Sequence, residues 1–168
     1  DPGGDTETAA AGFRISKGKY FRFRRFIAIG PNDQAMLVLP MSDNGTETIE
    51  NCGYEDGYVE SYRGKLCTVG ASQNGGPVTN FLGGVYKSYM RRIRGKSTRY
   101  GVRVVADGST RKNTIHDLLI ENITVALDQS GGSENIDGMQ IKGLEDTVNA
   151  GGSVGDVVMN NIAVTAVG

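Results

Sequence analysis

Two stretches of the chain carry the same pattern of hydrophobic and polar positions. One runs from Thr114 to Leu127 and the other from Ser153 to Ala166, and each holds an aspartate, a short apolar run, an Asn-Ile pair and an alternating tail. The two Asn-Ile pairs lie 39 residues apart. A repeating unit of this size that does not bury its own apolar face is typical of a solenoid, in which neighbouring turns supply one another's core.

Earlier parts of the chain fit the same template. Thr48–Cys52 aligns with Ile120–Ile123, so that its cysteine occupies the apolar position, and Tyr20–Ile29 is a looser copy. Three further pairs of apolar positions align: Val85 with Val154, Met90 with Met159, and Ile93 with Ile162.

A second type of strand lies between these copies. Gly12–Ile15, Gly101–Val104 and Gly138–Ile141 each carry two apolar residues two positions apart, and Asp56–Val59 is similar to Asp137–Met139. Because alternate side chains of a strand point to opposite faces, each piece predicts a short β-strand with one face inside. The sequence therefore predicts an all-β domain at residues 12–168, a parallel β-helix of about four to five coils, after a flexible leader at residues 1–11.

Asparagine recurs where the chain is expected to leave one sheet and enter the next. Asn51, Asn122 and Asn161 hold this position, and asparagine tolerates the left-handed backbone conformation better than most residues. Arg25 and Arg92 stand at the matching places in other copies. We expect stacked asparagines to hydrogen-bond to each other in a ladder that the arginines interrupt.

The composition favours a turn-rich β protein without a strongly charged partner. The 168 residues include 25 glycines and 22% charged residues, and the formal net charge is −1. So small a charge creates no overall field that would attract nucleic acid or a membrane surface, and no apolar run reaches the ~18 residues of a membrane helix. We predict neither nucleic acid binding nor membrane insertion.

No motif for a metal or a cofactor occurs in the sequence. Cys52 and Cys67 are the only cysteines, and His116 is the only histidine. Because there is no Cys/His cluster, phosphate-binding loop or nucleophile elbow, we expect no metal and no cofactor. The cysteines are either two partly buried free thiols or a disulfide, and a structural role at a turn explains His116 most simply.

Outward positions of the second strand type form a candidate binding surface. If the apolar residues of these strands face inward, the outward residues on one side are Arg103, Gln140, Lys142 and Arg14. In stacked coils such residues repeat at the ~4.8 Å strand spacing and form a polar ribbon. Their donors suit the hydroxyls and carboxylates of an extended acidic polysaccharide. The alternative is an ordinary solvated sheet face.

Three carboxylates are candidates for glycan cleavage, which needs two carboxylates beside the glycosidic bond or a base beside a carboxylate. They are Asp137, Asp56 and Glu60, because Asp56-Gly and Asp137-Gly occupy what we expect to be equivalent repeat positions. The alternative is that these aspartates cap turns before glycine.

Two arginine-rich stretches, Tyr20–Arg25 and Arg91–Arg99, also have the residues to hold phosphates. Basic residues that alternate with others on a half-buried strand explain them equally well.

The Asn-Ile corners and Asp-Gly strands together resemble the pectin-lyase-like superfamily of right-handed parallel β-helices, over about residues 12–167. Within it the pattern is most like the β-helices of phage tailspikes and polysaccharide depolymerases. Asn135–Gly138 is similar to the Asn-Thr-Asp-Gly motif of polygalacturonases, which implies that Asp137 is an active-site carboxylate. The adjacent Asp-Asp pair and the Gly-His-Gly motif of that family are absent from this sequence.

The resemblance implies a polysaccharide-binding protein and, if it is an enzyme, a glycoside hydrolase or polysaccharide lyase. It also implies an extracellular or virion-associated location and a homotrimer. The competing class is a non-catalytic adhesin or structural segment of a spike, which the short chain and the incomplete motif favour. Because the chain stops on a repeat strand without a polar cap, we expect a piece of a longer β-helix or capping by further copies.

Overall fold

The computed structural model describes residues 11–15, 18–29, 34–38, 48–61, 65–71, 84–97, 100–106, 114–128, 137–143 and 153–167. Every secondary-structure element in these ranges is a β-strand, and the strands form three five-stranded sheets. The all-β prediction is confirmed. The leader predicted at residues 1–11 lies, apart from its last residue, outside the described ranges.

The strands, numbered in chain order, are distributed over the sheets in a fixed rotation. The first sheet contains β1 (Ala11–Ile15), β4 (Gln34–Val38), β7 (Lys65–Ala71), β10 (Tyr100–Ala106) and β13 (Asp137–Gly143). The second contains β2 (Gly18–Lys19), β5 (Thr48–Glu50), β8 (Gly84–Tyr86), β11 (Thr114–His116) and β14 (Ser153–Val154). The third contains β3 (Arg22–Ile29), β6 (Gly53–Ser61), β9 (Tyr89–Ser97), β12 (Leu118–Asp128) and β15 (Val157–Val167).

All pairing between these strands is parallel, as the repeat predicted. Each strand pairs with the strand three places further along the chain, so the chain visits the three sheets in the same order five times. We call one visit to all three sheets a pass. Parallel neighbours require a long crossover connection, and here the other two sheets lie on that connection.

The predicted alignment of the later repeats is confirmed. Three residues of the fourth pass link the aligned positions: Ile115 pairs with Val85 and Val154, Ile120 with Met90 and Met159, and Ile123 with Ile93 and Ile162. The other strand type also aligns as expected, since Val102 pairs with Met139 and Val104 with Ile141.

Each pass has three strands, whereas the sequence pattern indicated two types. Thr114–Leu127 spans both β11 and β12, which Asp117 separates with a φ of 55°. The strands of the second sheet are only two or three residues long. Such strands are too short for a two-residue alternation to mark them in the sequence.

The predicted alignment of Thr48–Cys52 with Ile120–Ile123 is wrong. Ile49 pairs with Val85 in the second sheet, and Gly57, rather than Cys52, pairs with Ile93 in the row of Ile123. The error arises because a pass bends twice, and both bends place a left-handed residue next to inward apolar residues. One local pattern therefore fits either bend.

Two rows of left-handed residues, one at each bend, run across the passes. Between the second and third sheets the row contains Tyr20, Asn51, Lys87, Asp117 and Asp156. Within the third-sheet strands it contains Arg25, Asp56, Arg92, Asn122 and Asn161. The left-handed conformation predicted for the three asparagines is confirmed, but Asn122 and Asn161 do not end a sheet. Each adds one outward residue to its strand, as a bulge does, and pairing resumes in the same sheet.

We expect a Lys87→Asn variant to be more stable than the parent by about 0.5–1 kcal/mol, because lysine pays a steric cost in the left-handed region that asparagine largely avoids. Lys87 has a φ of 49° and only a 3.9 Å ion pair with Glu50 to lose. Urea unfolding of both proteins measures the difference. Lys87→Ala is the control, because it removes the same charge without the conformational preference. Equal stability of the two variants would contradict the explanation.

The inward side chains of the three sheets form one apolar cluster. Its fully buried aliphatic members include Ile49, Val59, Val85, Met90, Ile93, Val102, Val104, Ile115, Ile120, Ile123 and Val125. Each such side chain contributes about 1.5–3 kcal/mol relative to an exposed one. Met139 and Ile141, expected to face inward, are each 52% exposed because β13 is the last strand of its sheet.

Candidate functional site

The outward face of the third sheet collects charged residues from four neighbouring strands. They are Arg22, Arg24, Arg25, Glu55, Asp56, Glu60, Arg91, Arg92, Arg94, Lys96, Glu121 and Asp128. We call this surface the arginine face. Its seven cations and five carboxylates leave an excess of two positive charges, whereas the whole chain has a net charge of −1.

The charges of the arginine face alternate from strand to strand in two adjacent rows. The first row contains Arg24, Glu55, Arg91, Glu121 and Asn160. The second is the row of left-handed residues Arg25, Asp56, Arg92, Asn122 and Asn161. Because opposite charges on neighbouring strands attract, this order stabilises the parallel register.

Glu55 lies at the centre of the arginine face and is completely buried. Its Oε2 accepts hydrogen bonds from Arg91 Nε at 2.6 Å and from Arg92 Nη2 at 3.2 Å. Its Oε1 contacts the Arg24 guanidinium and lies 3.7 Å from Arg22 Nε, but it accepts no hydrogen bond within the described ranges. Four arginines from two strands thus converge on one carboxylate of the strand between them.

The arginines keep Glu55 ionised. Burial by itself raises the pKa of Glu55, but the hydrogen bond from Arg91 and the positive charges of Arg91, Arg24 and Arg22 outweigh it. The pKa of Glu55 therefore lies below the ordinary glutamate value. A general acid in glycoside hydrolysis needs the opposite shift, so this carboxylate suits charge balance rather than proton donation.

Asp56 is held in the same way by its neighbour in the second row. Arg92 Nε donates to Asp56 Oδ1 at 2.6 Å, and this hydrogen bond holds the pKa of Asp56 below its usual range while raising the pKa of Arg92. Further along the row Asn161 Nδ2 donates to Asn122 Oδ1 at 2.7 Å. The predicted asparagine ladder is confirmed for this pair, and an ion pair takes its place between the earlier passes.

Tyr89 covers the middle strand of the arginine face. A Cβ atom at Gly53 would overlap its ring, so the ring lies across β6. Tyr89 Oη accepts a 2.7 Å hydrogen bond from Arg22 Nε, and Arg91 Cζ lies 4.7 Å from the ring centroid. Glycine at position 53 therefore permits one aromatic ring to connect β9 with β3.

Two cations of the arginine face have no ion pair with another described residue. Arg25 and Arg94 are both exposed, and neither forms a hydrogen bond or ion pair within the described ranges. The arginines around Glu55 also keep solvent contact, since 52% of the Arg22 side chain and 50% of the Arg24 side chain are exposed. Guanidinium N–H groups therefore remain available on this surface for an anionic ligand.

The predicted ribbon lies in the first sheet. One row of its register contains Arg14, Leu37, Thr68, Arg103 and Gln140. Lys142 pairs with Val105, two residues further along the strand. Arg103 and Gln140 are neighbours in the register, as the ribbon predicts, whereas three strand spacings, about 14 Å, separate Arg14 from Arg103, with Leu37 and Thr68 between them. The side chains of the four ribbon residues lie outside the described set, and their role in binding stays a prediction.

The three candidate catalytic carboxylates are not brought together. Asp56 and Glu60 lie on β6 in the third sheet, whereas Asp137 begins β13 in the first sheet and pairs with Tyr100. The expected equivalence of Asp56 and Asp137 is wrong, because Asp-Gly marks a left-handed bend in one place and a strand start in the other.

The separation also argues against a catalytic pair. β6 and β13 belong to passes three strand spacings apart, about 14 Å, whereas paired glycosidase carboxyls lie about 5 to 9.5 Å apart. The side chain of Asp137 is not among those described, so its separate role stays a prediction.

His116 and Cys52 lie away from the arginine face. His116 Nδ1 is 2.9 Å from Asp117 Oδ2, and its ring meets Tyr86 edge-on with centroids 4.5 Å apart. Cys52 is a buried free thiol, and burial raises its pKa. Because Cys52 is free, the alternative of a disulfide between Cys52 and Cys67 is wrong.

The sequence contained the arginines of this face but not their arrangement. Arg91 and Glu55 are 36 residues apart, and nothing local to either stretch indicates that they meet. A signal was present nevertheless. When Tyr20–Arg25, Gly53–Asp56 and Tyr89–Arg92 are aligned in one register, the carboxylates of the second stretch fall between the arginines of the other two.

Comparison with protein-family models, with curated proteins and with solved structures finds no match to this chain. Among the described residues, no helix has the length and hydropathy that crossing a membrane requires. The same residues contain no group of three or more histidines, cysteines or carboxylates able to hold a metal ion.

Proposed function

We propose that this chain is a right-handed parallel β-helix that binds an extended acidic polysaccharide on its arginine face. The cation excess of that face, with Arg25 and Arg94 outside any described ion pair, is the observation on which the proposal rests.

The order of the sheets supports the β-helix. A chain that visits three parallel sheets in constant order, with inward apolar residues from all three in one cluster, has the arrangement that stacked coils produce. Parallel strands joined by crossover connections are almost always right-handed, which supports the proposed hand.

The charge distribution favours an acidic polysaccharide over nucleic acid. Domains that bind nucleic acid are typically strongly basic as a whole, whereas this chain has a sequence pI of about 5.9. Arginine pairs carboxylates and sulfates through two parallel hydrogen bonds, and its remaining donors reach sugar hydroxyls.

The proposal is for binding without cleavage by the arginine face. Glu55 and Asp56 are both held as carboxylates by arginines, so neither supplies the proton that departure of a glycosidic oxygen needs. This favours a non-catalytic adhesin or spike segment, which would be extracellular or virion-associated. A homotrimer remains part of the same hypothesis.

Calorimetry at low salt tests the proposal by measuring the binding of hyaluronan, polygalacturonate and uncharged dextran. We expect binding of at least one acidic polymer, none of dextran, and affinity that falls with added salt. Arg25→Asn combined with Arg94→Ser should weaken binding about tenfold or more, the equivalent of ~1.4 kcal/mol. Asparagine suits the φ of 51° at position 25, and neither substitution breaks a described ion pair.

Lys19→Gln combined with Lys87→Asn is the matched control, because it removes two positive charges from the second-sheet side of the protein. It should leave the affinity within about twofold of the parent, well under ~1 kcal/mol. Equal losses in the two double variants would show that only net charge matters, and absence of binding to both acidic polymers would refute the proposal.

A further inference from the structure

We infer that the arginine face is matched to a polysaccharide that carries one acidic group on every second sugar and lies across the strands of the third sheet. This inference rests on the proposed function and specifies the class of ligand.

The first step is the position of the cations. They lie on β3 and β9, which flank β6, so the cationic positions nearest to Glu55 and Asp56 belong to alternate strands. Arg25 on β3 and Arg94 on β9, the two cations without a described ion pair, have backbone positions two strand spacings apart across the sheet, which is about 10 Å. A ligand lying across the strands therefore meets two cationic strands with one strand between them.

The second step is the character of the middle strand. Asp56 presents a carboxylate there that is 31% exposed, and Tyr89 places an uncharged ring over Gly53. An acidic group opposite β6 faces this carboxylate, whereas a neutral sugar faces the Tyr89 ring. Like charges brought together cost free energy, so the middle strand selects against acid.

The third step is the extent of the site. On the far side of β9 the rows continue with Glu121 and Asn122 on β12, and neither provides a cation. The arginine face thus presents two cationic strands, and the shortest matching ligand is an acid–neutral–acid trisaccharide. An extended pyranose advances about as far as one strand spacing, so alternate sugars of such a chain lie opposite β3 and β9.

The test compares the affinities of two oligosaccharides that have equal numbers of carboxylates. Hyaluronan oligosaccharides carry a carboxylate on every second sugar, and oligogalacturonates carry one on every sugar. We expect the hyaluronan oligosaccharide to bind at least fivefold more tightly. Equal affinity, or tighter binding of galacturonate, would overturn the inference while the proposed function stands. If neither oligosaccharide binds, both the inference and the proposed function fail.

An Asp56→Asn variant tests the selecting group itself. Asparagine has the same shape and suits the φ of 58° at this position. We expect galacturonate to gain affinity more than hyaluronan does, so that the ratio of the two affinities falls at least threefold.

Asp156→Asn is the matched control, because Asp156 is exposed, has a φ of 51°, and lies in the other row of left-handed residues. It should leave the ratio unchanged. A ratio unchanged in Asp56→Asn, or changed equally in both variants, would overturn the inference.

Discussion

A Gly57→Ala variant is expected to lose about 2–3 kcal/mol of unfolding free energy, although it adds only one methyl group. Gly57 stands in the inward row that Phe26 begins and Ile93, Ile123 and Ile162 continue. The Phe26 ring fills the space that a side chain at position 57 would take, and a Cβ atom there would overlap the ring. The ring has little room to withdraw, because it is buried and meets Tyr54 edge-on at 6.1 Å.

A double-mutant cycle tests this explanation. Phe26→Leu alone should destabilise by about 1–2 kcal/mol because it leaves a cavity, whereas Phe26→Leu with Gly57→Ala restores the volume and should lie close to the parent. Gly155→Ala is the control, because a Cβ at Gly155 has no atom within 4 Å, and we expect a change within about 0.5 kcal/mol. Additive losses in the cycle would show that the two positions do not share the space. Chemical unfolding monitored by tyrosine fluorescence provides the measurement.

A Glu55→Gln variant is expected to lose about 2–3 kcal/mol, less than the ~3–5 kcal/mol typical of a broken buried ion pair, because the arginines around it keep solvent contact. Glutamine has nearly the same shape but replaces a charge on which four arginines converge. The arginines then repel one another, and the amide N–H₂ faces further donors.

Glu121→Gln is the matched control, because Glu121 stands in the same row beside Arg91 but forms no ion pair with another described residue. We expect it to change the stability by less than about 0.5 kcal/mol. Equal losses at the two positions would contradict a special role for the buried carboxylate.

The loss in Glu55→Gln should depend on pH with a definite sign. Because the folded-state pKa of Glu55 is lowered, the folded protein binds this proton less readily than the unfolded chain does. The stabilisation by Glu55 is complete above the ordinary glutamate pKa of about 4.3 and disappears as the pH falls below it, through the folded-state pKa. Parent and variant should thus differ most near neutral pH and converge in acid. A difference that stays constant from neutral to acid would contradict the assignment.

The pattern of the chain was sufficient for the all-β class, the parallel repeat and much of the core. Alternation of apolar and polar residues is a local property, so the inward positions at Ile93, Ile123 and Ile162 could be predicted without knowing where the loops go. The left-handed asparagines were likewise predictable, because that preference belongs to the residue itself.

The second strand of each pass could not be predicted in the same way. β2, β5, β8, β11 and β14 have two or three residues each, which is shorter than any periodic signal. The error at Cys52 followed, because without that strand one bend was mistaken for the other. The register with neighbouring strands, rather than any local preference, decides which bend a left-handed residue occupies.

The sequence by itself determined that this protein forms parallel β-strands with inward apolar residues. The 39-residue repeat indicates the parallel pairing, and the inward positions follow from residues one to four positions apart. Only the tertiary structure decided which charges meet. Arg24, Glu55 and Arg91 lie on three successive strands of one sheet. The connections between passes vary in length, because Glu55 and Arg91 are 36 residues apart whereas Asn122 and Asn161 are 39 residues apart. Spacing along such a chain does not specify contact, so the buried carboxylate and the arginine face arise only when the strands pair.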